Sequence, residues 1–246
     1  MTLNNRDFEA AIVDLDGTMV DTLGDFHAAL LAMLAELGLP AVGRDTVERF
    51  IGKGSEHLIR SVLAHVGAPA SVYDAAWAAY QRVYRDLNGR HAEVYPGVVE
   101  GLAALRAAGL RLACLTNKPT EFALDLLRLK GLGPFEVVFG GDAFERRKPD
   151  PLPILKTCEA LGSAPGATLV IGDSSNDARA ARAAACPVVL VTYGYNHGEP
   201  IRSVDADGYG DSLVEAAAML LPVGAPRPFN AEESAEKNSQ NRRRIH

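Results

Sequence analysis

Five short apolar runs govern what this chain can fold into: AAIVDLD from Ala10, LRLACLT from Leu110, FEVVF from Phe135, ATLVIGD from Ala167 and VVLVTYG from Val188. Continuous Val, Ile and Leu over so few residues suits strands buried on both faces, as in a parallel sheet lying between helices. Helical patterns fill the spaces between the last four runs. Phe122, Leu126 and Leu129 recur at i, i+4 and i+7, and Leu152 with Leu155 opens a similar face after the proline-framed KPDPLP. Strands alternating with helices predict an α/β fold with right-handed crossovers.

About ninety residues separate the first run from the second, far more than a single crossover needs. An inserted unit is therefore expected. Phe26, Leu30, Met33, Leu34 and Leu37 mark one amphipathic helix, ended by Gly38 and Pro40; Leu58, Val62 and Val66 mark another, and Trp77, Tyr80, Tyr84 and Leu87 a third. These predict an all-helical insert over residues 21–90 with its own small core. The aromatics of the third helix are read as ordinary packing. Tyr95-Pro96-Gly97 restarts the main domain, with Val98, Leu102 and Leu105 forming the next apolar face. The main domain is thus expected over 1–20 and 91–221. From Pro222 the chain is polar and short of core residues, which predicts a mobile tail over 222–246.

Four of the strand ends finish in polar residues of complementary kinds, and ligands bind at the carboxyl ends of strands in open parallel sheets. The first end carries two carboxylates one residue apart, Asp14 and Asp16, followed by Gly17. The second carries Thr116-Asn117-Lys118-Pro119, a hydroxyl and an amide near a helix start. Lys148 follows the third strand in a stiff proline-framed loop, a fixed positive charge suited to phosphate oxygens. Asp173 and Asp177 follow the fourth and add carboxylates of the kind that a hard cation such as Mg²⁺ requires. Taken singly, each reads equally well as a helix cap or an exposed loop. Their order and complementary chemistry are hard to obtain from four unrelated caps.

The set DLDGT, LTNKP, KPDP and GDSSND resembles the four motifs of the haloacid dehalogenase superfamily, over nearly the whole chain to about Leu221. The resemblance implies a Rossmann-like α/β core with a helical cap of the C1 type inserted between the first two motifs. It implies that Asp14 is a nucleophile toward phosphorus, and that Asp16 is the general acid, later the base that activates water. Mg²⁺ would be held by Asp14, Asp173 and the backbone carbonyl of Asp16, with Asp177 in its outer shell. Thr116, Asn117 and Lys148 would hold the phosphoryl group. The segments from Arg49 to Gly54 and from Tyr193 to Ile201 further resemble those of bacterial phosphoglycolate phosphatases, which implies hydrolysis of 2-phosphoglycolate to glycolate and phosphate. Arg49, Gly52, Lys53 and Gly54 become the candidates for substrate selection. The substrate carboxylate would meet either a cation, Lys53 or Arg49, or backbone N–H groups freed by the two glycines. Met19, Thr22 and the tail depart from the family pattern.

Within the same superfamily, dehalogenases and phosphonoacetaldehyde hydrolases lack an aspartate at the place of Asp16, and many sugar-phosphate mutases have Glu-Asp where this chain has Gly172-Asp173. A receiver-like signalling module would need neither Asp16 nor a lid. A neutral sugar phosphate remains the alternative substrate. The formal charge of −6 argues against nucleic-acid binding. Three scattered cysteines, no CxxC pair, and no run of the roughly 20 apolar residues that spans a bilayer predict a cytoplasmic protein with no membrane contact.

Overall fold

The computed structural model describes Leu3 and residues 7–220; the expected tail over 222–246 lies outside the described residues. Strand β1 (Ala10–Val13) leads into the short strand β2 (Val20–Asp21), which pairs antiparallel with β3 (Glu93–Val94) across the base of the insert. Between them lie α1 (Leu23–Glu36), α2 (Arg44–Glu48), α3 (Ser55–His65) and α4 (Tyr73–Leu87). Their apolar stripes converge on one cluster around Leu30, Met33, Ile59, Val62, Tyr80 and Tyr84. Phe122 and Tyr195, from beyond the insert, close this cluster from below. The all-helical insert is therefore seated on the sheet domain through shared apolar contacts.

The rest of the chain alternates as the apolar runs require. Helix α5 (Val98–Ala107) precedes β4 (Arg111–Leu115), then come α6 (Thr120–Leu129), β5 (Val137–Phe139), α7 (Leu152–Leu161), β6 (Thr168–Gly172), α8 (Ser175–Ala183), β7 (Val188–Val191), β8 (Gly208–Gly210) and α9 (Leu213–Ala218). Six strands form one parallel sheet in the order β5-β4-β1-β6-β7-β8. Side chains alternate across each strand. Ala11 and Val13 of β1 pack with Leu102, Leu105 and Leu126 on one face, while Ala10 and Ile12 pack with Ile154, Cys158 and Ala181 on the other. Both faces are buried, which is why β1 is apolar at every position.

Several expectations are corrected by this packing. Leu129 and Leu155 are 54% and 41% exposed; the inner stripe of α7 is Ile154, Cys158 and Leu161, one residue out of phase with the expected Leu152 and Leu155. FEVVF yields only the three-residue β5, half-buried because it is the sheet's edge. Trp77 lies at the insert's surface while Tyr80 and Tyr84 are fully buried. Cys158 and Cys186, distant in sequence, bring their thiols to 4.0 Å as free cysteines. Among the described residues, no helix is long and apolar enough to cross a membrane.

Candidate active site

From β1 the sheet extends to β4 and β5 on one side and to β6, β7 and β8 on the other, so β1 sits where the strand order reverses. That reversal opens a crevice at the strands' carboxyl ends. The register then sets the residues: Val13 is level with Cys114 of β4 and with Ile171 of β6, which brings Asp14, Thr116 and Asp173 to one edge within a step of each other. Two glycines permit this close approach. Gly17 has φ of 83°, and a Cβ there would lie 2.2 Å from Asp173 Oδ2; a Cβ on Gly172 would lie 2.3 Å from Asp177 Cγ. Any larger residue displaces a carboxylate.

Asp14, Asp173 and Asp177 each offer a carboxylate oxygen to a group in which these oxygens lie within 4.8 Å of one another. Lys148 braces the group from one side: its Nζ donates to Leu115 O at 2.8 Å and Asp177 Oδ1 at 2.7 Å, and meets Asp14 Oδ1 at 3.1 Å. All three of its N–H donors are used. Asp173 accepts from Thr18 Oγ1 at 2.9 Å and from the Tyr195 N–H at 2.6 Å. Asp177 reaches back to the Ser174 N–H at 3.1 Å and Ser174 hydroxyl at 2.7 Å, fixing the start of α8.

Burial raises the Asp14 carboxyl to about 7, with Lys148 opposing the rise and Asp177 reinforcing it. Burial, Asp177 and Asp14 together push Asp173 well above the ordinary carboxylate range. At Asp177 burial is outweighed by the Lys148 ammonium and by hydrogen bonds from Lys148 and Ser174, and its carboxyl is held below its usual value. Crowded, dehydrated carboxylates of this kind are relieved by a divalent cation, and a set of hard oxygen donors suits Mg²⁺.

Asp16 faces the other way. Its Oδ1 accepts from Lys118 Nζ at 2.9 Å, and Lys118 also donates to Tyr84 Oη of α4 at 2.7 Å. Its carboxylate is thus outside the acidic cluster. Between Asp14 and Asp16 and the insert lies a cavity walled by Phe26, Ile51, Ser55 and Leu58 above and by Thr116, Asn117 and Lys118 below. Gly52 and Gly54 also line it; Arg49 and Lys53 do not. Arg49 turns to Thr46 Oγ1 at 3.4 Å.

Asn117 does more than line the floor. Its side-chain amide donates to Gly52 O and to Lys148 O, each at 2.9 Å, tying the insert's loop to the sheet domain. Asn176 donates to the same Gly52 O at 3.2 Å. With the amide so engaged, and with the Thr116 and Lys118 N–H groups donating to Phe139 O and Thr116 Oγ1, the Thr116 hydroxyl and the Asn117 N–H are what remain in this loop for an anion.

Nothing in the local sequence marks Lys118 or Tyr84 for the site: Lys118 follows a strand end beside a proline and Tyr84 lies in a helical apolar stripe, and only the seating of the insert brings them together. Thr18 and the loop from Tyr193 to Asn196 carry no local mark either. Tyr193 donates to Thr18 O at 2.7 Å, and Tyr195 accepts from the N–H groups of Thr22 and Leu23 at the start of α1.

A family model described as haloacid dehalogenase-like hydrolase matches residues 11–191. A phosphoglycolate phosphatase of Thiobacillus denitrificans is 44% identical over 216 residues, covering 86% of this chain and 95% of that protein. A plasmid-encoded phosphoglycolate phosphatase of Cupriavidus necator is 45% identical over 217 residues, covering 87% and 94%. Among solved structures, a predicted phosphoglycolate phosphatase of Haemophilus somnus superposes with a TM-score of 0.84 at 30% identity, covering 87% of this chain and 99% of the other.

Proposed function

This chain belongs to the haloacid dehalogenase-like hydrolases and is a phosphoric monoester hydrolase, and from that premise we propose that it hydrolyses 2-phosphoglycolate to glycolate and phosphate through an aspartyl-phosphate on Asp14. The observation that carries this reading is the opposed setting of Asp14 and Asp16 on one cavity: Asp14 beside Lys148 and the acidic cluster, Asp16 on the side of Lys118 and the insert.

In the first step an Asp14 carboxylate oxygen bonds to phosphorus as the ester P–O bond breaks, and Asp16 gives its proton to the departing oxygen. In the second, Asp16 takes a proton from water, the water oxygen bonds to phosphorus, and the bond to Asp14 breaks. The Thr116 hydroxyl would hold a phosphoryl oxygen and Lys148, its donors engaged, would add positive charge beside Asp14, with Asn117 holding the loop that carries Thr116. Mg²⁺, held by Asp14, Asp173 and the Asp16 carbonyl with Asp177 outside them, would neutralise charge so that a phosphate dianion can approach these carboxylates. The helical insert over 21–90 serves as a cap on a core of 1–20 and 91–221, excluding bulk water during turnover.

The enclosed position of the cavity, between the insert and the sheet domain with both Asp14 and Asp16 in its wall, supports a small substrate. The test is a panel of phosphate esters assayed with Mg²⁺: 2-phosphoglycolate should give the highest kcat/KM among it, ethyl phosphate and neutral sugar phosphates. A clear preference for a neutral sugar phosphate rejects the substrate and leaves phosphatase chemistry in place.

A further inference from the structure

We propose that Lys118 is the specificity-determining residue of this site, and that its ammonium binds the carboxylate of the leaving group. The inference rests on the reading above that the substrate's leaving group is acidic.

Position comes first. The group that protonates the leaving oxygen marks the leaving-group side of the cavity, and Lys118 Nζ lies 2.9 Å from that group, Asp16. Lys148, the other buried lysine of the site, lies on the side of Asp14 and Asp177 instead. Among the described residues that line the cavity, Lys118 is the one cation. The two cap cations that the sequence offered for this role are not in the lining.

The hydrogen-bond capacity points the same way. An ammonium has three N–H donors. Those of Lys148 are all taken, but Lys118 gives one to Asp16 and one to Tyr84, and no third acceptor for it exists among the described residues. Its side chain is 1% exposed, so bulk water is not the partner. A buried ammonium with an unused donor next to a cavity asks for an acceptor that arrives with a ligand.

The walls fit a compact anion. Lys118 Nζ lies 4.5 Å from the centroid of Phe26 and 5.1 Å from that of Tyr84, and Phe26, Tyr84 and Tyr80 form a stack with centroid spacings of 5.4 and 5.3 Å. Ring faces support the cation without neutralising it. They also hold off water, so that a carboxylate arriving there meets a dehydrated charge and a leaving group without one leaves it unpaired. Since Phe26 and Tyr84 belong to the insert and Lys118 to the core, this site is complete only when the two parts are seated together.

The experiment compares kcat/KM for 2-phosphoglycolate and ethyl phosphate in the full-length enzyme with Mg²⁺. Lys118→Gln keeps a donor for Asp16 and Tyr84 but removes the charge, and should lower the ratio of the two constants by roughly tenfold or more, chiefly through KM for 2-phosphoglycolate. Lys118→Met, which removes the donor too, should do the same, and Lys118→Arg should retain more of the ratio than either. Equal losses on both substrates, with the ratio unmoved, overturn the proposal and reduce Lys118 to a positioning residue for Asp16. The unmodified enzyme tests the premise separately: if it does not prefer 2-phosphoglycolate over ethyl phosphate, the acidic leaving group itself is wrong.

Discussion

Asp14 and Asp16 carry the same functional group two residues apart, and their neighbours divide the work. Asp14 has Lys148 and two carboxylates beside it; Asp16 has a lysine held by a cap tyrosine. Asp14→Asn keeps shape and loses the proposed nucleophile, so kcat should fall by roughly 10⁴ or more with the thermal transition little changed. Lys53→Ala should leave the selectivity for 2-phosphoglycolate over ethyl phosphate unmoved, because Lys53 is not in the cavity wall; a tenfold drop in that ratio would return the role to the cap loop. The acidic cluster also predicts a pH dependence. Burial raises Asp14 from 3.8 to about 7 and moves Asp173 in the same direction. The metal-free folded protein therefore binds protons that the unfolded chain releases, and stability contributed by these groups is present below pH 3.8 and lost as pH rises toward 7. Metal binding requires the ionised forms, so the thermal shift produced by Mg²⁺ should be larger at about pH 8 than at about pH 5.5; an equal shift at both would contradict the cluster as the metal site. Asp14, Asp16, Lys148 and Asp173 were legible in the sequence because each stands next to a strand end or a proline-framed loop. Lys118 and Tyr84 were not, since no local pattern records a contact between a core loop and a cap helix.

At the scale of elements, the continuous apolar runs were readable because a strand covered on both faces has no polar side. Strand β8 was not: Gly208-Tyr209-Gly210 has no apolar run, and its glycines are there for closeness, Gly208 to Met219 and Gly210 to the start of α9. Nor was the β2 and β3 pair, two residues on each side, which hold the two chain crossings of the insert together. The packing of α5 on α9 gives a test of how tightly these layers are built. Gly101 lies inside α5, where alanine gains about 1 kcal/mol of helix propensity. A Cβ there would, however, meet the Leu213 backbone carbon at 2.7 Å, and overpacking of this kind costs about 1–3 kcal/mol. Backbone cannot turn aside as a side chain can, so the clash should win and Gly101→Ala should lower Tm. A raised Tm would mean that the two helices part at little cost.

For the whole molecule, the four carboxylates of Asp14, Asp16, Asp173 and Asp177 stand against the two ammoniums of Lys118 and Lys148, on a chain whose formal charge is −6. A phosphate ester is drawn to such a place only if a cation is bound there. Removal of divalent metal should therefore stop turnover, and Mg²⁺ should restore it; undiminished activity after verified removal would exclude the acidic cluster as a working part. The proposed hydrolysis runs through a covalent bond to Asp14 that Asp16 would help to form and would be needed to break. Asp16→Asn separates these events, because an aryl phosphate has a good leaving group that needs no proton, while hydrolysis still needs the base. The decisive measurement is to mix this variant with an aryl phosphate and Mg²⁺, quench in acid, and map the phosphoryl group. It should accumulate on Asp14; leaving-group release with no phosphoryl group on Asp14, or with one on another residue, would contradict the mechanism.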